Sequence, residues 1–426
     1  MRCLVCLVCC VCWAGTEASD LRTLYDTDRM FELRRALKGN PDSGEVLFYR
    51  AAVDARFGHE ATAIEDLRRL LRTQPERQLA RKANEELAGA FERLGRYGEA
   101  AEAWAEVLKR APARYGDRAD DANTQQLDNT LRDVPAQTVR FEEAAIVEGR
   151  RNGLGSWNVP VHVNGEVGEW IFDTGANMSA IAESEARRMR LAVRDTTTYV
   201  SGSTGKKNHL RLAVANDLRF GGVRLGNVVF LVLKDEALYV APVKYQISGI
   251  LGLPVIRALG CITMSKEGRF QIQTGGSTEE GEPNLFFDEL TPMVAARHSR
   301  RELQMFLDTG NNTTFLYPSS RRALSASEST HLTKKNEQMG GAGGTTKRRS
   351  EVIPALRFEI LGEEVGLKSI SLLSKQPRRK SSHRDGVFGA DVLEGGFTLD
   401  FRSMQFRVHA RRRGVSADGA KLHESR

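Results

Sequence analysis

The hydrophobic and polar positions change period once along this chain. From residue 20 to about 133, apolar residues recur at three- and four-residue spacing. Glycine is sparse there and Ala, Leu, Glu and Arg dominate, which predicts a run of amphipathic helices. From about Thr138 the texture becomes short β-branched runs broken by Gly, Asn and Asp, the pattern of strands and tight turns. The stretch Val159 to Phe172 predicts a hairpin turning at Asn164-Gly165, and Phe220 to Val232 predicts another. The expected fold is an α-helical N-terminal domain over residues 19–135 followed by an all-β region. A polar, glycine-rich linker at 274–284 divides that region into parts at 136–273 and 285–410, and a basic flexible tail occupies 411–426.

The helical stretch repeats itself. Phe57-Gly58, Ala63 and Pro75 match Leu94-Gly95, Ala100 and Pro112 at a constant offset of 37. A glycine suits the turn between paired helices, an alanine lets them approach, and a proline ends the second helix. Arg93 to Trp104 resembles a tetratricopeptide repeat, and a loop insertion after Pro75 accounts for the slightly long period. Helices near 20–40 and 117–133 are expected to cap the two visible units. The resemblance implies a groove for a peptide or partner protein. A module that only steadies the neighbouring domain fits the same residues.

The β-rich stretch is doubled as well. Asp173-Thr174-Gly175 follows the apolar run Trp170-Ile171-Phe172, and Asp308-Thr309-Gly310 follows Met305-Phe306-Leu307. Each triplet has a distal apolar pair between glycines, Gly249-Ile250-Leu251-Gly252 and Gly386-Val387-Phe388-Gly389. From Asp173 to Gly249 is 76 positions, and from Asp308 to Gly386 is 78. Between acid and distal glycine each half carries a glycine-rich stretch, with Gly202 and Gly205 in the first and Gly340, Gly341, Gly343 and Gly344 in the second. Leu356-Arg357-Phe358 echoes Leu218-Arg219-Phe220, and Gly396 to Phe401 echoes Gly260 to Met264. One Asp-Thr-Gly is a chance event; two in register, each with its own distal pair, describe a duplicated unit that supplies one carboxylate twice.

Composition narrows the classes. Charged residues at 27% and hydrophobic ones at 41% are ordinary for a globular chain, and 426 residues suffice for two or three cores. The net charge of +7 is diffuse, with clusters at Arg378-Arg379-Lys380 and Arg411-Arg412-Arg413. No basic stripe is interleaved with aromatics, so a nucleic-acid partner is not expected. The eight histidines form no His-Glu-x-x-His spacing, Gly340–Gly344 leads to Thr345-Thr346-Lys347 rather than a phosphate-loop ending, and no Gly-x-Ser-x-Gly elbow occurs. Neither metal nor cofactor is expected. Five of the six cysteines fall in the first twelve residues, within the apolar run Cys3–Trp13 that follows Met1-Arg2. That run reads as a signal peptide over 1–18 cut after Ala18, or after Ala14. It is too short to give a stable membrane span. The cut chain keeps only Cys261, which sits in an apolar run and reads as core. An exported protein, periplasmic or extracellular, is the expectation.

The paired Asp-Thr-Gly motifs resemble those of the retropepsin-like aspartic proteases, with the likeness covering roughly residues 155–405. The resemblance implies a bilobal acid-protease fold in which both lobes lie in one chain, so that a monomer suffices. It implies an aspartic endopeptidase acting on a polypeptide substrate through a water activated between Asp173 and Asp308. Like charges so close cannot both ionise easily, so one carboxyl keeps a proton while the other acts as base. By the same resemblance Thr174 and Thr309 reach across between lobes, Gly175 and Gly310 let main-chain amides approach the acids, and the glycine-rich stretches form flaps over substrate. Ordinary mobile loops are the alternative for those stretches. One departure stands out: the residue after the triplet is Ala176 in the first half and Asn311 in the second. Without a hydroxyl beside Asp173, its anion has less support and the pH optimum is expected to move toward neutral. A catalytically silent peptide-binding or scaffold protein built from the same lobes and repeats is the alternative function.

Overall fold

The computed structural model describes residues 18–40, 44–143, 145–201, 207–273, 281–330, 332–341, 344–375 and 383–409. The proposed signal peptide, most of the linker, the basic clusters, the tail, and Gly202, Gly205 and Gly343 lie outside the described residues, apart from Ala18 and residues 281–284. Among the described residues the first part is helical: Ala18–Asp26, Met30–Ala36, Glu45–Arg56, Glu60–Arg72, Arg77–Arg93, Tyr97–Arg110 and Arg118–Thr130. The residues of the 37-residue offset occupy equivalent places. Gly58 (φ +87°) and Gly95 (φ +67°) sit in the turns within two successive helix pairs, in a left-handed conformation that other residues adopt only with strain. Ala63 and Ala100 are fully buried where the paired helices meet. Pro75 and Pro112 come just beyond the ends of Glu60–Arg72 and Tyr97–Arg110. No described helix is long and apolar enough to cross a membrane.

From Thr138 onward the chain is β-rich. One sheet contains, in spatial order, Trp157–Val163, Glu166–Phe172, Gly249–Leu251, Ser179–Ala182, Val228–Leu233, Lys207–Ala215 and Val193–Ser201. A second sheet contains Thr291–His298, Arg301–Leu307, Gly386–Phe388, Phe315–Leu316, Glu363–Leu373, Gly344–Ile360 and Thr333–Gly341. Strand for strand, order and direction agree. The distal Gly249–Leu251 runs parallel to Glu166–Phe172 with Leu251 opposite Phe172, and Gly386–Phe388 runs parallel to Arg301–Leu307 with Phe388 opposite Leu307. The sequence duplication is therefore a duplication of topology.

The turn Asn164-Gly165 joins Val163 to its partner Glu166, with both central residues at positive φ as a two-residue hairpin requires. The chain also reverses within the second expected hairpin, at Gly221-Gly222, and its outgoing arm extends back through Leu218–Phe220 to Lys207–Ala215. The returning arm is interrupted at Asn227 (φ +57°) and continues as Val228–Leu233. Every residue of Val228–Leu233 is buried, and such a run belongs inside a sheet covered on both faces rather than in a surface turn.

A third sheet joins the halves. Cys261–Ser265 pairs antiparallel with Gly396–Asp400, from Cys261 opposite Asp400 to Ser265 opposite Gly396. At its centre the Thr263 and Thr398 hydroxyls lie 3.1 Å apart. These are the segments that echo each other in sequence, so the duplicated element pairs with its own copy.

The helical region shares its core with the β-rich region. Phe286 and Met293 of the second half are fully buried in the helical cluster, with the Phe286 ring centroid 5.0 Å from Phe31 and 5.7 Å from Phe57. Beside them Glu60 accepts from Arg93 at 3.1 Å and from Arg257 at 2.7 Å. A carboxyl pair secures the last helix: Asp128 meets Glu92, which also accepts from Trp104 Nε1 at 2.7 Å. Burial raises both acids: Glu92 goes to about 7, with the Glu289 charge adding while hydrogen bonds from Trp104 and Asp128 oppose, and Asp128 goes well above the usual carboxylate range, with the Glu92 charge and hydrogen bond adding.

A carboxyl whose folded pKa is raised binds more protons folded than unfolded, so its contribution to stability falls as pH rises. For Glu92 the loss runs from roughly pH 4.5, its unfolded value, to about 7. Glu92→Gln is expected to leave stability near wild type at about pH 4 and to raise it at about pH 8 by on the order of 2 kcal/mol. Denaturant melts across that range check this; a variant curve as steep as the wild-type one overturns it.

Candidate active site

Each acid stands where a buried strand gives way to a turn. Trp170, Ile171 and Phe172 are buried, and Asp173 follows; Met305 and Leu307 are buried, and Asp308 follows. The distal strands catch the chain at that point. The Asp173 N–H donates to Leu251 O and the Asp308 N–H donates to Phe388 O, both at 3.0 Å. The two turns then lock together through their threonines. Thr174 N–H donates to Thr309 Oγ1 at 3.0 Å, and Thr309 N–H donates to Thr174 Oγ1 at 3.1 Å. The Thr174 hydroxyl donates to Leu307 O at 2.7 Å, and the Thr309 hydroxyl donates to Phe172 O at 2.8 Å. Both threonines are buried.

This exchange brings Asp173 and Asp308 within hydrogen-bonding reach of each other. The glycines make the approach possible. A Cβ at Gly175 would collide with the Asp308 carboxyl, and one at Gly310 with the Asp173 carboxyl. Their amides serve the acids: Gly175 N–H donates to Asp173 Oδ1 at 2.8 Å, and Gly310 N–H donates to Asp308 Oδ1 at 3.1 Å. Asn311 N–H adds a bond to Asp308 Oδ1 at 3.0 Å, while its side chain turns away and donates to Thr313 O at 2.8 Å.

The electrostatics are unequal. Burial raises Asp173, while the amides of Gly175, Ala176 and Gly310 and a hydrogen bond from Asp308 oppose the rise. Burial raises Asp308 much further, and the neighbouring Asp173 charge adds to it. The pair therefore holds on to one proton. Two such groups titrate as a unit.

Other residues support the acid turns without having stood out in the sequence. Ser179 and Thr314 each lie six positions after an acid, and each hydroxyl accepts from a distal glycine, Gly252 N–H at 3.0 Å and Gly389 N–H at 3.2 Å. A hydroxyl residue at the same step after both triplets was the available signal. Asp391 holds Thr314 by its amide at 2.8 Å and its hydroxyl at 2.7 Å. The turn 152–156 crosses to the second acid, with Ser156 Oγ donating to Gly310 O at 3.0 Å and Asn312 Nδ2 donating to Leu154 O.

Each of the two sheets ends in an antiparallel pair of strands. Val193–Ser201 pairs with Lys207–Ala215, and Thr333–Gly341 pairs with Gly344–Ile360. Gly340, Gly341 and Gly344 lie on the second hairpin, where Gly341 faces Gly344 across the ladder. Val200 of the first hairpin packs against the same apolar cluster as Ala176 and Met178 beside the first acid. Among the described residues no three His, Cys, Asp or Glu side chains gather as a metal ion would require. Cys261 is fully buried in its strand.

Residues 159–255 match the family model described as aspartyl protease. The matched stretch holds the first hairpin, Asp173-Thr174-Gly175 and the distal Gly249–Gly252, and it supports an aspartyl protease domain in the β-rich region. No curated protein matches the chain.

The threonine exchange gives a direct test. Thr174→Val removes the hydroxyl that serves Leu307 O and Thr309 N–H in a buried place, and is expected to cost about 2–4 kcal/mol of stability. Thr174→Ser, which keeps the hydroxyl, is expected to cost about 1 kcal/mol or less. Urea denaturation of the two variants checks this; equal losses would mean that the methyl group, not the hydrogen bonds, holds the turns.

Proposed function

We propose that this chain is an aspartic endopeptidase of the retropepsin-like type, in which two lobes of one chain supply one acid each. The observation that carries the reading is the reciprocal Thr174–Thr309 exchange, with Asp173 and Asp308 in reach of each other beneath it. The matching strand order of the two sheets supports the bilobal reading.

The chemistry follows from a pair that holds one proton, assigned in this reading to Asp308. A water between them gives a proton to the Asp173 anion as its oxygen attacks the peptide carbonyl carbon. Asp308 gives its proton to the carbonyl oxygen, so a neutral tetrahedral diol forms in place of an oxyanion. Collapse reverses the traffic: Asp173 protonates the leaving nitrogen, Asp308 takes a proton from a diol hydroxyl, and the C–N bond breaks. The pair ends with one proton, as it began. Extended peptides would bind by strand-like main-chain hydrogen bonds beneath the outer hairpins.

The helical region is read as tetratricopeptide-like from its two helix pairs at a constant offset. Between capturing a partner and packing on its neighbour, one observation favours packing. A cavity of about 350 Å³ on the helical region, lined by Tyr25, Arg56, Lys82 and Glu86, is also lined by Asp288 and Glu289 of the β-rich region. Arg93 donates to Glu289 O at 2.9 Å at that place. The turn of the second half thus reaches a surface that a partner would need. Export to the periplasm or outside the cell belongs to this reading through residues 1–18. The silent scaffold is the weaker reading, because both acids and both supporting threonines are present and engaged.

The deciding experiment is cleavage of a mixed peptide library from about pH 3 to about pH 8 by the wild type, Asp173→Asn and Asp308→Asn. Loss of activity in both variants, with inhibition of the wild type by a pepstatin-like compound, is the expected result. One inactive variant alone would mean that the acids do not form one site. A wild type that cleaves nothing at any pH would favour the scaffold. Because burial raises both acids, the singly protonated pair persists to higher pH than free carboxyls would allow. The profile is therefore expected to peak above about pH 4, and a sharp maximum near pH 3 overturns that shift.

A further inference from the structure

The last helix of the helical region, Arg118–Thr130, lies along Val193–Ser201, the strand that ends the first sheet. Asn123 holds both main-chain groups of Tyr199. Its Nδ2 donates to Tyr199 O at 3.0 Å, and its Oδ1 accepts from Tyr199 N–H at 3.1 Å. A carboxamide carries donor and acceptor in one plane, so a single Asn reproduces what a neighbouring strand would offer the edge. Gln126 Nε2 donates to Thr197 Oγ1 one helical turn further on.

The place of this contact matters. The ladder between Val193–Ser201 and Lys207–Ala215 is irregular between Asp195 and Tyr199, and it resumes with Tyr199 opposite His209. Within the irregular stretch the Thr196 hydroxyl donates to Leu210 O at 2.7 Å and accepts from Thr198 N–H at 3.1 Å. A bulge of this kind is where a hairpin bends. Asn123 grips the first residue beyond it, where the far end of the hairpin begins. Apolar packing runs the same way: Leu127, Leu131 and Val134 share a cluster with Val200, Leu210 and Ala176, which is three residues from Asp173.

A helix laid on a sheet edge ordinarily serves to keep that edge from pairing with another chain. Covering an edge needs bulk, and it does not need a two-way hydrogen bond placed just past a bulge. We propose that Asn123 is a positioning residue, through which the helical region fixes the far end of the first hairpin relative to Asp173 and so sets how tightly an extended peptide is held. The proposal rests on the reading of that hairpin as a cover over substrate. It assigns the helical region a part in substrate binding while leaving the proton transfers to the two acids.

The test uses the full chain, with Asn123→Ala and Gln126→Ala beside the wild type, read by amide hydrogen exchange and by peptide cleavage. For Asn123→Ala, exchange at Tyr199–Ser201 and Lys207–His209 is expected to speed by about tenfold, while Glu166–Phe172 is unchanged. KM is expected to rise by roughly three- to tenfold with kcat within about twofold, and Gln126→Ala is expected to move both readouts less. Unchanged exchange in the hairpin, or equal loss of protection in hairpin and core strand, overturns the positioning role. A fall in kcat with KM unchanged overturns it too. If the wild type cleaves no peptide, the catalytic reading fails, and the exchange data still decide whether Asn123 holds the hairpin.

Discussion

The reciprocal bond between Thr174 and Thr309 is the constraint from which the remainder of the site follows. Each hydroxyl is buried, accepts from the other turn's amide, and donates to the other half's acid-bearing strand end. Neither acid turn is therefore complete within its own sheet. Removing one half would leave buried donors and acceptors of the other without partners, and each such group costs on the order of 1–3 kcal/mol. The third sheet, in which Cys261–Ser265 pairs with Gly396–Asp400, serves the same end at longer range by fixing the angle at which the halves meet. Two units that could in principle move apart are held at their inner turns and again by this shared sheet.

Once the turns are locked, the electrostatics have little freedom. Two carboxyls forced together away from water cannot both be charged, so the pair keeps a proton. Local donors act on its two members differently. Asp173 has the amides of Gly175, Ala176 and Gly310 turned toward it, and these oppose the rise that burial imposes. Asp308 has its own amides, yet it faces an anion whose charge reinforces burial. A departure visible in the sequence, Ala176 against Asn311, does not produce this difference through its side chain, since the Asn311 carboxamide bonds Thr313 O instead of the acid.

Much of this was legible in the sequence, and the reasons are local. Asn164-Gly165 specifies its hairpin because two adjacent residues at positive φ fit few other turns. The triplets were visible because Gly175 and Gly310 lie against carboxyls, and the distal glycines because the Trp170 ring or main chain fills the place of a Cβ, so the residue type is forced. The 37-residue offset in the helical region was visible because Gly58 and Gly95 take positive φ in equivalent turns. What escaped notice depends on contacts between distant segments. Ser179 and Thr314 are single hydroxyls among many, and only the fold brings them to Gly252 and Gly389. The turn of the second hairpin, at Gly221-Gly222, was not named by the sequence pattern, because the buried run Val228–Leu233 pairs with Lys207–Ala215, outside that stretch. Nothing in Phe286 or Met293 announced that their side chains would lie in the core of another region.

That shared core changes what the helical region can be. A module tethered by a linker could capture a partner and leave the sheets untouched. Here the interface buries Phe286 among Phe31 and Phe57, ties Arg257 to Glu60, and ends in a helix secured by the Glu92–Asp128 pair. Burial keeps a proton on that pair under acidic conditions, where two buried carboxyls can share a hydrogen bond instead of repelling. The same physics holds the proton on the Asp173–Asp308 pair. Acidity therefore acts in one direction at both places: it steadies the helix that borders the first hairpin while it maintains the singly protonated state that the proposed chemistry of the acid pair needs. The helical region is accordingly a structural part of the site's surroundings, and its influence on substrate would pass through the edge strand it touches.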